Sequence, residues 1–221
     1  MSVISSHLPD SAVIRRRLRL VFLLDSAEAA GLTPIPITLL HAYAYLSNVL
    51  APVWELSPLD GKVLKRKGGP FYPALQQELD NLVGMGMAVV SNLGYALNEN
   101  NTWRLQGFYK LNRQISKPVL DLVNQFEEET KELFFIKELG YALSALRLED
   151  LHGALLEDAT YSDPVAQMGN VVDFAEWKDA NFSTNAANYF ENYFDRSSSV
   201  SPGNKLHLYV RHLYRRANAA S

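Results

Sequence analysis

The stretch KVLKRKGGPFYPALQQELDNLVGMGMAVV, residues 62–90, constrains this chain more than any other part of it. A basic segment with strand character runs into Gly-Gly-Pro, then an amphipathic helix, a glycine stop and an apolar strand. Leu75, Leu79, Leu82 and Val83 recur at helical spacing, with Phe71 ahead of them on the same stripe. Gln76, Gln77, Asp80 and Asn81 fall mostly opposite. Gly84 and Gly86 end the helix, and MAVVSNL follows as a strand. KVLKRK reads as a short edge strand with its basic side chains facing out. A short helix held between strands in this way has one apolar stripe to bury and one polar face left over.

Two helices precede this segment. Residues 14–30 carry Ile14, Leu18, Val21 and Phe22 at one face and stop at Gly31. Residues 37–50 follow, with Pro36 tolerated in a first turn. Beyond the segment, NENN at 98–101 is a turn, and residues 103–111 alternate as a strand with Trp103, Leu105, Tyr109 and Leu111 on one side. Helix, helix, short strand, helix and hairpin is the order of a winged-helix domain, assigned here to residues 14–115 after a loose tail at 1–13. From Ser116 the periodicity is helical again, as one long helix or two, then an aromatic helical stretch, a Ser-rich linker and a basic terminal helix. Residues 116–221 therefore read as a helical C-terminal region with a partner-binding surface. The expected class is mainly α with a small β-hairpin.

Charge is divided unevenly: +4 over residues 1–120, −12 over 121–195 and +5 over 196–221, for a net −3. This points to two regions with different surfaces. There are no cysteines, so disulfides, thiolate chemistry and Cys-based zinc sites are excluded. No run approaches the ~18 apolar residues of a membrane span. The five-residue LVFLL after the N-terminal arginines is too short for a secretory signal, so the expected location is the cytoplasm.

Motifs that carry chemistry are missing. There is no phosphate loop, dinucleotide fingerprint, zinc-binding histidine pair or nucleophile elbow. Glu149, Asp150, Glu157 and Asp158, with His152 nearby, could in principle hold magnesium. Carboxylates spread along a helix are ordinarily a solvated face, and no further acidic motif completes a site. No catalytic residue, metal or cofactor is expected. Lys62, Lys65, Arg66 and Lys67 are the candidate contacts to DNA phosphates. The helix after them has no Lys or Arg, and Glu78 and Asp80 would repel phosphate, so sequence-specific groove reading is disfavoured. Residues 174–194 hold seven aromatics: Phe174, Trp177, Phe182, Tyr189, Phe190, Tyr193 and Phe194. Phe182, Tyr189, Phe190 and Tyr193 fall near one stripe and are the candidate partner interface.

Residues 52–90 resemble the small middle component of ABC-three-component systems, and most closely the small subunit of Lamassu-type antiphage defence complexes. The likeness rests on Asp60-Gly61-Lys62, on Gly69-Pro70-Phe71-Tyr72-Pro73, on Gln76, Leu79, Asp80, Leu82 and Val83, and on the Gly86 step into the strand. It is firm over about 40 residues. The resemblance implies a non-enzymatic subunit that accompanies an SMC-like ABC ATPase and a separate effector, often a nuclease, in a complex that senses foreign DNA. The alternative from the element order alone is a stand-alone winged-helix transcription regulator.

Overall fold

The computed structural model describes residues 10–58, 62–66, 68–97, 101, 103–162, 171–173, 181–194 and 199–219. Helix α1 (Ser11–Ala29) opens the fold, three residues ahead of its expected start, with the Asp10 carboxylate accepting from the Ala12 N–H as its cap. Gly31, at φ +73°, lets the chain turn while Leu32 N–H closes back on Ala27. The two-residue strand β1 (Ile35–Pro36) leads directly into α2 (Ile37–Val49). Helix α2 is buried almost all round, as a helix apolar on every side must be. A 3₁₀ turn (Ala51–Trp54) follows, then β2 (Lys62–Arg66), β3 (Gly69–Phe71) and α3 (Pro73–Gly84).

The expected stripe of α3 is observed: Leu75, Leu79 and Leu82 are buried, and Val83 packs at the margin. Phe71 belongs to β3 and not to the helix, because Pro73 occupies the first helical position. Gly86, at φ +72°, stops the helix while Met87 N–H bonds to Leu82. The long hairpin is β4 (Ala88–Leu97) with β5 (Trp103–Leu111), in register from Ala88↔Leu111 to Leu97↔Trp103. A bulge between Ser91 and Gly94 twists it, with Asn92 at φ +51°. β1 adds to β5, giving the order β1-β5-β4.

The remaining chain is α4 (Arg113–Val123), α5 (Glu127–Ser144), α6 (Leu148–Leu156), β6 (Val171–Asp173), α7 (Phe182–Tyr189), a 3₁₀ turn (Phe190–Tyr193) and α8 (Pro202–Ala219). The expected one or two helices after Ser116 are thus three. A second sheet of order β3-β2-β6 forms where β6 pairs with β2, Lys62↔Asp173 and Leu64↔Val171. The molecule is mostly helical with small antiparallel sheets.

One continuous buried cluster joins the two halves of the chain. It runs from Phe22 and Leu24 of α1 through Tyr43 and Leu46 of α2 and Leu79 of α3 to Phe135, Ile136 and Leu139 of α5 and Leu206, Val210 and Leu213 of α8. Polar ties cross the same boundary. Arg19, itself buried, bonds Glu132 of α5 at 2.6 Å and Asn48 of α2 at 3.3 Å. The Asp25 carboxylate, also buried, takes Lys137 at 3.3 Å and the Arg113 guanidinium. Tyr43 donates its hydroxyl to the Ile136 carbonyl. Among the described residues no helix is long and apolar enough to cross a membrane.

Candidate functional site

The basic strand is built differently from the sequence expectation. β2 lies in the middle of its sheet, between β3 and β6, and is not an edge. Its alternation puts Val63 and Lys65 on one face, and both are buried, Lys65 with only 4% exposure. The Lys65 ammonium lies 5.3 Å from the centroid of the Tyr161 ring, where cation–π attraction offsets part of its desolvation. This corrects the outward-facing basic strand: a lysine inside the fold does not reach a phosphate. Lys62 and Arg66 are exposed, and Lys67 lies outside the described residues. Arg66 stacks its guanidinium 3.8 Å over the Phe71 ring, and its carbonyl accepts from the Tyr161 hydroxyl at 2.5 Å.

The polar face of α3 is also partly internal. Gln76 is buried and its Oε1 lies 3.1 Å from His41 Nε2. The Tyr72 backbone N–H can only donate, so His41 Nδ1 is its acceptor and the imidazole proton sits on Nε2, facing Gln76. Burial lowers the His41 pKa to about 4, against the hydrogen bond His41 donates to Gln76, which raises it. Glu78 is buried too. Burial alone would raise its pKa, but the hydrogen bonds and charge of Arg17, at 2.6 Å, and a hydrogen bond from Asn81 hold it below the usual carboxylate range. Only Gln77, Asp80 and Asn81 remain as an exposed polar surface, with no cation among them.

The acidic cluster does not form a metal site. Among the described residues no three His, Cys, Asp or Glu side chains are grouped to hold a metal. Arg147 pairs with Glu149 and Asp150, and Arg216 with Glu157. Asp158 is wholly buried and accepts from Tyr45 (2.5 Å), Tyr209 (2.8 Å), Ser183 (2.9 Å) and the backbone N–H groups of Thr160 and Tyr161. Burial, then the Asp158 charge, pushes the Tyr45 and Tyr209 hydroxyls well above the normal phenol range. Asp158 thus joins α2, α7 and α8 as a structural centre. The sequence signal for this was weak, since three of its partners lie at least 25 residues away.

Among the described residues the aromatic stretch presents an exposed apolar surface. α7 buries its small residues, Ser183, Thr184 and Ala187, and turns its large ones outward. Asn181 caps the helix by accepting from Thr184 N–H at 2.9 Å. Asn181 Nδ2 and the Thr184 hydroxyl both donate to the Val49 carbonyl, at 2.7 and 2.6 Å, which seats α7 on the end of α2. Phe182, Tyr189, Tyr193 and Phe194 are consequently exposed, Tyr189 by 60% and Tyr193 by 74%. Tyr189 and Tyr193 meet edge to face at 5.8 Å. Phe190 is the exception among the candidates: it is half-buried against His212, 5.7 Å between centroids. Lys205 fixes the turn through Glu191 at 2.5 Å and Asn188 at 3.0 Å. Phe174 and Trp177 lie outside the described residues.

Comparison with protein-family models, with curated proteins and with solved structures returns no match.

Proposed function

We propose that this chain is a non-catalytic accessory subunit of an SMC-like ABC ATPase, acting in a Lamassu-type defence complex against phage or plasmid DNA. In this role it bridges or stabilises the ATPase and helps control a separate effector nuclease in the cytoplasm. The observation that carries the reading is the inverted packing of α7, with small residues inside and Phe182, Tyr189 and Tyr193 outside. Aromatic anchors of this kind supply most of the energy of protein interfaces. The resemblance of residues 52–90 supplies the identity of the partner.

The order α1-β1-α2-α3-β4-β5, with the sheet β1-β5-β4, supports a winged-helix arrangement of the first half, with β2 and β3 inserted ahead of α3. A transcription regulator would use α3 as its reading helix. The acidic surface of α3, and the commitment of Gln76 and Glu78 to His41 and Arg17, count against that use. Lys62 and Arg66 are left to contribute a weak, non-specific contact to double-stranded DNA.

The test is a search of the neighbouring genes for an SMC-like ATPase, followed by co-expression of that ATPase with the tagged chain. A stoichiometric complex that survives gel filtration is expected. Separate elution of two folded proteins, or the lack of such a neighbouring gene, overturns the proposal.

A further inference from the structure

Two hairpins, β2–β3 and β4–β5, face each other across a cleft of about 270 Å³. Phe71, Tyr95, Trp103 and Leu105 line it together with Arg66 and Arg104. The register Tyr95↔Leu105 and Leu97↔Trp103 puts Tyr95, Leu105 and Trp103 on one face of the hairpin. Tyr95 and Trp103 are nevertheless 71% and 68% exposed. Large rings on a strand face are normally covered, so this face is built to meet something.

The cations beside the rings say what. The Arg66 guanidinium carbon lies 3.8 Å over the Phe71 ring. The end of the Arg104 side chain fills the space beside Gly68 that a Cβ would occupy, 1.3 Å from that position. Partial burial, then the Arg104 charge, lowers the Arg66 pKa, so the two guanidinia sense each other. Among the described residues neither has a carboxylate within ion-pair distance. Two like charges without a counter-ion favour an anion between them, and guanidinium binds phosphate with paired hydrogen bonds. A cleft of this volume takes one nucleotide. A duplex keeps its base faces stacked inside and cannot offer them to Trp103, whereas a single strand can. An acidic peptide would satisfy the guanidinia and leave the rings uncovered.

We propose that this cleft binds single-stranded nucleic acid, with a base against Trp103 and Tyr95 and the adjoining phosphate at Arg66 and Arg104. The site belongs to this chain alone and does not depend on the ATPase reading.

Fluorescence anisotropy of a short labelled oligothymidylate with the full chain tests it, beside a duplex of equal length and a polyglutamate competitor. Trp103→Ala is expected to weaken binding by roughly 5- to 150-fold, the cost of one lost base stack, while Trp103→Phe retains most of it. Arg66→Ala and Arg104→Ala should each lower the slope of log K against log salt by ~0.7. Gly68→Ala should weaken binding without removing a charge, because it displaces the Arg104 guanidinium. All these variants should melt as wild type does, since they lie at an open surface. A chain that ignores the oligonucleotide overturns the proposal. So does Trp103→Ala binding as well as wild type while folded, or polyglutamate competing as strongly as unlabelled oligothymidylate.

Discussion

Tyr209 of α8 donates its hydroxyl to Oδ2 of Asp158 at 2.8 Å, tying the last long helix to the loop after α6. Tyr45 and Ser183 hold Oδ1 of the same carboxylate from α2 and α7. The arrangement is a fully buried carboxyl group ringed by neutral hydrogen-bond donors. Such a network stabilises only when complete, because each donor left unpaired costs about 1–3 kcal/mol.

Asp158→Ala is therefore expected to destabilise the protein by roughly 3–5 kcal/mol. At ~2–4 °C per kcal/mol for a chain of this size, the melting temperature should fall by about 6–20 °C. Thermal denaturation followed by circular dichroism checks it. A melt within a degree or two of wild type would contradict the structural role. Loss of any biological activity in this variant carries no implication of catalysis.

His41 gives the protein an acid-sensitive site. Its folded pKa, about 4, lies below the usual 6.5, so the unfolded chain binds the proton more readily between those values. Its contribution is fully present above pH 6.5, falls as pH drops, and is lost by about pH 4. Between pH 7 and pH 4.5 this amounts to roughly 2–3 kcal/mol. Urea unfolding at both values should show a smaller difference for His41→Gln than for wild type. Equal differences would place the acid sensitivity elsewhere.

At Lys65 two sequence signals, strand period and charge, point in opposite directions, and the period prevails. Alternation in KVLKR places Lys65 on the face of Val63, so its burial follows from strand period alone. Charge alone argues the opposite, for an exposed basic strand. The helices were legible because their apolar residues are local in sequence: α3 carries the Leu75, Leu79, Leu82 ridge, α2 is buried on nearly every side, α1 is buried from Arg19 to Ala27, and all three lie within a few residues of their expected places. β1 was hidden because Ile35–Pro36 is two residues long and reads as a helix start; it is defined only by its pairing with Tyr109 and Phe108. β6 joins β2 across more than a hundred residues, and no local pattern encodes that pairing. The aromatic cluster was legible as a cluster. Which of its members face outward was decided by Asn181 and Thr184 binding the Val49 carbonyl. Trp103 does share its strand face with Leu105, as the alternation predicts, but strand period cannot show that the face is left uncovered at the tip of the hairpin.

The Arg17–Glu78 pair, 2.6 Å apart, clamps α3 to α1 and should be costly to break from one side. Arg17→Ala leaves Glu78 buried without its cation. Arg17 is itself partly exposed, so the expected loss is about 1–3 kcal/mol, below that of a fully buried pair. Arg17→Leu combined with Glu78→Leu should recover most of it. A double variant as unstable as the single one would show that the carboxylate has another essential partner. Chemical denaturation midpoints of the three proteins decide the matter.

The most direct measurement joins stability and partner binding in one pair of substitutions. Tyr189→Ala with Tyr193→Ala removes two exposed rings that meet each other at 5.8 Å, Tyr193 also touching Phe190 at 6.4 Å. The double variant should melt within about 1 °C of wild type, because exposed side chains contribute little to folding. It should fail to co-purify with the proposed ATPase partner, with a loss of ~2 kcal/mol or more per anchor. A marked fall in melting temperature with co-purification retained would assign both rings to the core of this protein, and would contradict the accessory-subunit role for this surface.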